Sequence, residues 1–211
     1  MMLQKDIAKE MLRVGAVELN ATELFTWASG IKSPIYCDTR LTISDPAARK
    51  ALAKGLAANI QEFFPGTDIV AGTATAGIPH AAWVSDILDL PMVYVRSKAK
   101  EHGRGNQIEG KYAEGQKVVV VEDIVSTGGS SITAVEALRA AGCEVLGVVC
   151  VYTYNLPKAE KAFDEIGVKY VSLTNFDYLI EAASETGAID ADQIPFLKDW
   201  HAKLKAGELT A

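Results

Sequence analysis

The residues best suited to chemistry lie in the middle of the chain, after a short apolar run. Four consecutive valines at residues 118–121 are followed by two carboxylates, Glu122 and Asp123, and then by Ser-Thr-Gly-Gly-Ser at residues 126–130. Carboxylates accept hydrogen bonds from the hydroxyls of a sugar diol. Glycines that turn backbone N–H groups inward, flanking hydroxyls and a helix N-terminus together bind a phosphate. The stretch therefore predicts a site for a phosphorylated sugar, with a plain strand-to-helix turn as the alternative.

The elements around this stretch must place it at one edge of a sheet. A run of valines is typical of a strand that is buried on both faces, and ligands bind at the carboxyl ends of such strands in parallel sheets. Helix-like and strand-like segments alternate along the chain, which predicts an α/β fold with a central, mostly parallel sheet flanked by helices. The fold class therefore agrees with the position of the candidate site.

The other elements are predicted from periodicity and from breaking residues. Leu3, Ile7 and Met11 have helical spacing, which indicates a first helix over residues 3–14. Strands are expected at residues 69–71, 92–95, 118–121, 145–151 and 168–173, and further helices at residues 79–90, 131–141, 178–186 and 194–204.

A second helix is predicted to start at Pro46. Asp45 is a suitable N-cap, and proline is favoured at the first helical position. The helix should end before Pro65-Gly66. Its apolar face is predicted to contain Leu52, Leu56, Ile60 and Phe63.

Residues 97–116 show no periodic pattern and contain four glycines. A structureless connection of about 20 residues is uncommon in a compact domain and is usually a lid or a binding loop. The whole chain has a net charge of -6, but residues 96–117 contain six Lys or Arg against three Glu, a local charge of +3. This predicts a basic loop that binds an anion, with a solvated charged hairpin as the alternative.

Length and composition exclude several classes of protein. With 211 residues, 49% of them apolar, the chain can bury a core as one domain without disulfides or metals. The net negative charge argues against an extended nucleic-acid surface. The three cysteines (Cys37, Cys143, Cys150) fit neither a disulfide framework nor a zinc site, which favours a reducing cytoplasm. Neither a secretory signal nor a membrane span is expected.

Three stretches together resemble a known enzyme family. The acid pair followed by STGGS resembles the phosphoribosyl-diphosphate motif of the type I phosphoribosyltransferases, and it specifies only that superfamily. Residues 25–40, FTWASGIKSPIYCDTR, and residues 95–110, VRSKAKEHGRGNQIEG, resemble the substrate loop and the flexible catalytic loop of the orotate phosphoribosyltransferase family. The resemblance covers about residues 10–155.

The resemblance implies the architecture of the whole chain. Residues 1–211 would form a single phosphoribosyltransferase domain with a core at about residues 45–155. A small cap would come from about residues 1–40 and 170–211. The flexible catalytic loop would span about residues 97–116.

The resemblance also implies the reaction. The phosphoribosyl group of 5-phosphoribosyl 1-diphosphate would pass to orotate, giving orotidine 5'-monophosphate and diphosphate, a step of pyrimidine and UMP biosynthesis. Mg²⁺ would be carried by the diphosphate, with no metal bound by the protein alone. The implied assembly is a cytoplasmic homodimer in which the loop closes over the neighbouring site, with no nucleic-acid or membrane partner.

The family motifs carry roles to particular residues. Lys100 and His102 would be catalytic, and Ser126 would contact orotate. The residues that would bind phosphoribosyl diphosphate are Arg96, Lys100, His102, Glu122, Asp123, Ile124, Val125, Ser126, Thr127, Gly128, Gly129 and Ser130. Of these, Glu122 and Asp123 would hold the ribose hydroxyls, and residues 126–130 would bind the 5-phosphate.

Some family features are missing. Other members have basic residues where this chain has Ala28, Ala76 and Tyr152-Thr153-Tyr154. The group that holds the orotate carboxylate is therefore left open, with Lys32 and backbone amides as candidates. The aromatic residues of the 25–40 segment are interpreted either as core or as contacts to a planar pyrimidine.

Two further features are ambiguous. Residues 72–77, GTATAG, have the glycine spacing of a P-loop but lack its lysine, because Ile78 follows them, so an NTPase is excluded. Their turn either presents amides to an anion or is purely structural. His80 and His201 are predicted to be structural or solvated.

Two alternative functions remain. One is a phosphoribosyltransferase for another base. The other is a regulatory protein of the same fold that senses phosphoribosyl diphosphate and binds nucleic acid. A regulator should carry a basic face or an added helix-turn-helix, and it would not need Lys100 and His102.

Overall fold

The computed structural model describes residues 4–27, 29–98 and 107–209. Its helices are α1 Gln4–Arg13, α2 Pro46–Phe63, α3 Gly77–Leu88, α4 Gly129–Ala140, α5 Pro157–Glu165, α6 Phe176–Thr186 and α7 Ile194–Ala206, with a 3₁₀ helix at Thr39–Ser44. Its strands are β1 Val17–Leu19, β2 Phe25–Thr26, β3 Lys32–Ser33, β4 Ile35–Cys37, β5 Ile69–Thr73, β6 Met92–Val95, β7 Ile108–Glu109, β8 Lys117–Val125, β9 Glu144–Thr153 and β10 Lys169–Asn175.

The main sheet has the strand order β10-β9-β8-β5-β6-β7. Its strands pair in parallel, except that β7 runs antiparallel to β6. Helix α3 follows β5 and α4 follows β8, and residues 118–121 of β8 are fully buried. These features confirm the predicted α/β class and place the carboxyl ends of β5 and β8 side by side. No helix of the described ranges is long and apolar enough to span a membrane.

Strand β8 is longer than the apolar run predicted. Its ladder with β9 continues through the pairs Glu122↔Cys150 and Ile124↔Tyr152 and ends at Val125. The two acids therefore lie within the strand rather than after it. The prediction stopped at residue 121 because side-chain polarity changes there, whereas the backbone hydrogen bonding continues.

The start of α2 agrees with the prediction, and one residue of its buried face was predicted wrongly. Asp45 accepts hydrogen bonds from the N–H groups of Ala47 (2.9 Å) and Ala48 (2.8 Å). Phe63 is 39% exposed and lies under the Lys169 ammonium, 4.6 Å from its ring centroid. Phe64 is buried in its place, because the helix ends at Phe63 and the next residue turns inward against Gly147.

A small substructure covers the carboxyl end of β9. Strand β1 pairs antiparallel with β4, and β2 pairs antiparallel with β3. Helix α7 packs on these strands through the rings of Trp27 and Trp200, whose centroids are 5.6 Å apart. We call β1 to β4 together with α7 the cap. The short strands and α5 were not predicted, whereas α6 and α7 match the predicted C-terminal helices.

Candidate active site

Glu122 is buried at the carboxyl end of β8 and accepts hydrogen bonds from three hydroxyls. Thr73 Oγ1 donates to Oε1 (2.6 Å), while Ser130 Oγ (2.7 Å) and Ser131 Oγ (3.0 Å) donate to Oε2. Burial, followed by the neighbouring Asp123 carboxyl, raises the pKa of Glu122 to about 7, against the opposing effect of the hydroxyl donors. The side chain therefore joins β5, β8 and the start of α4.

Asp123 lies in a different environment from its neighbour. It is half-buried, and its Oδ2 accepts a hydrogen bond from Thr39 Oγ1 at 2.6 Å. Thr39 begins the 3₁₀ helix, so this bond ties β8 to the segment that follows the cap strands. The sequence suggested one shared role for the two acids, but only Asp123 keeps partial exposure to solvent.

The turn after β8 leaves backbone donors available at the start of α4. Gly128 is left-handed (φ +83°), and a Cβ there would lie 2.9 Å from Phe163 Cε2, so the position requires glycine. Helix α4 has no side-chain N-cap. Ser126, Thr127 and Gly129 are exposed, and no atom lies within 4 Å of a Cβ built on Gly129. Uncapped amides and the positive end of the helix dipole suit this turn to an anion.

Arg96 lies beside the start of α4, across a cleft at the carboxyl edge of the sheet. A cavity of about 130 Å³ lies between the end of β6 and the start of α4. Its lining is formed by Thr73, Ala74, Val95, Arg96, Ser97, Gly129, Ser130, Thr133 and Ala134. The Arg96 guanidinium is 3.5 Å from the Glu109 carboxylate. The structure therefore brings the predicted cation Arg96 together with the predicted phosphate turn.

The segment interpreted as a catalytic loop starts and returns beside this cleft. The Arg96 N–H donates to the Gln107 carbonyl (2.9 Å), and Gln107 Nε2 donates to the Arg96 carbonyl (3.0 Å). Strand β7, at residues 108–109, then pairs with β6, which corrects the prediction that residues 97–116 contain no element. Lys100 and His102 lie outside the described residues.

The turn at residues 72–77 has a steric requirement of its own. A Cβ on Gly77 would overlap the Thr73 side chain and the Val121 carbonyl oxygen. Helix α3 therefore starts in direct contact with the backbone of β8, which only glycine permits. This contact gives the second glycine of the GTATAG turn a structural role.

His80 and His201 are both buried, so neither is solvated. No hydrogen-bond partner is found for either ring nitrogen of His80 among the described residues, and its ring meets Trp83 edge-on at 5.7 Å. Burial lowers the pKa of His80 to about 4, although the Asp123 charge opposes this effect. His201 Nε2 lies 2.7 Å from the Tyr154 carbonyl oxygen, and burial lowers the pKa of His201 as well.

The predicted substrate segment at residues 25–40 forms the hairpin β2–β3 and strand β4. Lys32 Nζ donates to Thr26 Oγ1 at 2.7 Å on the exposed side of this hairpin. Trp27 is half-buried and donates through Nε1 to the Ile35 carbonyl (3.1 Å), so it belongs to the packing of the cap. Tyr36 is exposed. Ala28 lies outside the described residues.

Three partners of the acids were not found from the sequence: Thr73, Thr39 and Ser131, the last of which directly follows the predicted turn. Thr73 and Thr39 lie 49 and 84 residues from the carboxylates they contact. The only available signal for Thr73 was its position at the end of a strand that could neighbour β8 in a parallel sheet. No sequence signal indicated Thr39.

Within residues 4–27, 29–98 and 107–209, no group of three or more His, Cys, Asp or Glu side chains is arranged to hold a metal ion.

The fold and this site together define a type I phosphoribosyltransferase, and a phosphoribosyl transferase domain is matched over residues 41–180. An orotate phosphoribosyltransferase of Listeria innocua is 59% identical over 200 residues, covering 95% of this chain and 96% of that protein. The chain belongs to the orotate phosphoribosyltransferase family.

Solved structures agree with this assignment. The orotate phosphoribosyltransferase of Aeropyrum pernix matches with a TM-score of 0.75 and 29% identity, over 87% of this chain and 99% of that chain. The Mycobacterium tuberculosis enzyme, solved in complex with 5-phospho-α-D-ribosyl 1-diphosphate, matches with a TM-score of 0.64 and 26% identity, over 83% of this chain and 98% of that chain.

Proposed function

We propose that the protein transfers the phosphoribosyl group of 5-phosphoribosyl 1-diphosphate to orotate, giving orotidine 5'-monophosphate and diphosphate. One observation carries the proposal: the uncapped start of α4, the half-buried Asp123 and the Arg96 side chain lie at the same edge of the sheet. The name of the Listeria relative supports orotate as the acceptor.

Each part of the substrate has a proposed partner. The 5-phosphate binds the backbone N–H groups of residues 126–130 and the hydroxyls of Ser126 and Thr127, at the positive end of α4, while the Ser130 hydroxyl donates to Glu122. The ribose hydroxyls donate to Asp123, with Glu122 holding the turn in place through its three hydroxyl bonds. Ile124 and Val125 connect these two subsites along the chain, as the last residues of β8. Arg96, Lys100 and His102 bind the diphosphate.

The reaction needs charge stabilisation more than proton transfer. The bond from the anomeric carbon to the diphosphate oxygen breaks, its electron pair leaves with the diphosphate, and the orotate ring nitrogen forms the new bond. Positive charge develops on the ribose and negative charge on the leaving group. Cations placed against the leaving group stabilise this transition state, and such electrostatic stabilisation is commonly the largest catalytic contribution. Since orotate attacks as an anion, no strong general base is required.

The orotate side is proposed from the cap hairpin. Lys32 is exposed on this hairpin, and its ammonium is hydrogen-bonded only to a neutral hydroxyl among the described contacts. We assign it to the orotate carboxylate, with Ser126 as a second contact to the base. Backbone amides of the hairpin are the remaining candidates.

The remaining parts of the proposal come from the family. Mg²⁺ enters with the diphosphate as part of the substrate complex, since this ion favours phosphate oxygens and retains several waters. The enzyme works as a homodimer in the cytoplasm, with the loop at about residues 97–116 closing over the neighbouring site and excluding water. The chain acts as one domain, with a core at about residues 45–155.

One assay tests the reaction. The purified protein, mixed with Mg²⁺, phosphoribosyl diphosphate and orotate, should consume the ultraviolet absorbance of orotate and release diphosphate. Turnover of a purine with no loss of orotate would assign another base. Binding of phosphoribosyl diphosphate without turnover of any base would favour the regulatory alternative.

A further inference from the structure

Two neighbouring residues of α7 join the cap hairpin, which carries Lys32, to Tyr154, whose N–H donates to the carbonyl of Val125 (3.4 Å), one residue before Ser126. Trp200 Nε1 donates to the Lys32 carbonyl oxygen in β3 at 2.9 Å. His201 Nε2 lies 2.7 Å from the carbonyl oxygen of Tyr154, just beyond the end of β9. Because a carbonyl oxygen only accepts hydrogen bonds, Nε2 carries the proton and donates. Helix α7 therefore joins the cap hairpin to the sheet.

Aromatic rings pack around this connection on both sides. Trp27 meets both Trp200 (5.6 Å) and Tyr154 (5.3 Å) edge-on. The His201 ring stacks on Phe176 with centroids 3.8 Å apart. Trp200 and His201 are each 5% exposed, so their donors are shielded from water. A buried donor that is removed leaves its carbonyl without a partner, and the connection between the hairpin and the end of β9 is weakened.

We propose that Trp200 and His201 are positioning residues for the pyrimidine base. They set the distance between the hairpin that carries Lys32 and the end of β9, and through it the affinity for orotate. This inference rests on the proposed function. Neither side chain contacts the acids, the turn after β8 or Arg96 in the described contacts, so the effect is selective for one substrate.

Two matched variants test the inference. Trp200→Phe and His201→Phe each keep an aromatic ring and remove one N–H donor. In each, KM for orotate should rise about fivefold or more, the range expected for loss of one positioning hydrogen bond, while KM for phosphoribosyl diphosphate changes by less than about twofold. Phe196→Ala, on the exposed face of the same helix, should change neither KM.

The outcomes separate the inference from the function on which it rests. If the wild-type protein fails to consume orotate, the proposed function is wrong and the inference falls with it. If the wild-type protein is active, three results would show that α7 has only a structural role. They are unchanged KM values, an equal rise of both KM values, and a lower melting temperature with no change in either KM. If one variant does not fold, the other decides.

Discussion

On the phosphate side of the cleft, the groups proposed for chemistry come mostly from one continuous stretch, residues 122–131. The orotate side, by contrast, joins residues as distant in sequence as Lys32 and Trp200. The first side depends on the strand-turn-helix geometry of a single unit. The second depends on how separate elements pack. We therefore expect substitutions on the phosphate side to affect catalysis or local backbone strain, and those on the orotate side to affect the position of one substrate.

The largest effect is expected at the loop cation of the phosphate side. Lys100→Ala should lower kcat about 100- to 1000-fold, because it removes a charge that acts on the leaving group, and should change KM much less. Lys111→Ala, a second lysine of the 97–116 segment, is the control and should retain activity. An unchanged kcat in Lys100→Ala would remove this residue from the mechanism.

Substitutions of two glycines on the phosphate side should have different effects, one on stability and the other on ligand binding. Gly77→Ala should lower the free energy of unfolding by about 3 kcal/mol, because the new methyl group would overlap the backbone of β8. The new methyl group of Gly129→Ala meets no atom within 4 Å. This variant should keep the stability of the wild-type protein, since alanine is favoured in helices. Its added methyl group should instead raise KM for phosphoribosyl diphosphate. Urea denaturation and steady-state kinetics measure the two effects, and equal stabilities of the two variants would contradict the contrast.

The buried histidines provide a pH test of the same comparison. His80, beneath the phosphate side, has a pKa lowered from 6.5 to about 4. As the pH falls, this histidine is therefore protonated in the unfolded chain before it is protonated in the folded protein. Stability should therefore fall as the pH drops from about 6.5 to about 4, by at most about 1.4 kcal/mol per pH unit from this group.

His80→Leu should flatten this part of the pH profile relative to the wild-type protein. At pH 7 the variant should lose little stability, because no hydrogen bond of the ring is described. His201→Leu should lose stability at pH 7, because the Tyr154 carbonyl loses its donor. Parallel profiles of His80→Leu and wild type between pH 4.5 and 7 would show that His80 titrates normally.

The smallest effects should distinguish the two substrates. Asp123→Asn should raise KM for phosphoribosyl diphosphate about tenfold, because a neutral amide binds the diol more weakly than a carboxylate. Lys32→Met should raise KM for orotate about fivefold, because an exposed cation contributes about 1 kcal/mol to binding an anion. Each variant is the control for the other. An equal rise of both KM values in either variant would remove the division into two sides.

The same division explains what could be predicted from the sequence. The valine run, the acid pair and the glycine turn are contiguous, so their local pattern predicted β8, the turn and α4 together. By contrast, the contacts of Thr73 and Thr39 with the acids depend on elements that meet only in the folded chain.

Short elements and element ends account for the other differences. Strand β7 has two residues and exists because β6 lies beside it, so its own sequence carries little signal. Phe63 and Phe64 exchange roles because the helical period stops between them, and a difference of one residue reverses the side that faces the core. The contacts of α7 with the hairpin could not be predicted, because this helix lies more than 160 residues away from the hairpin in the sequence.

The three hydroxyl bonds to Glu122 affect the kinetics of binding as well as the shape of the site. Because Thr73, Ser130 and Ser131 are held by bonds within the protein itself, the conformational entropy of ordering this turn is lost during folding and not during association. The phosphate subsite is therefore preorganised, and its association with substrate should not wait for a local rearrangement. Any conformational change on binding should then occur in parts of the molecule other than this turn.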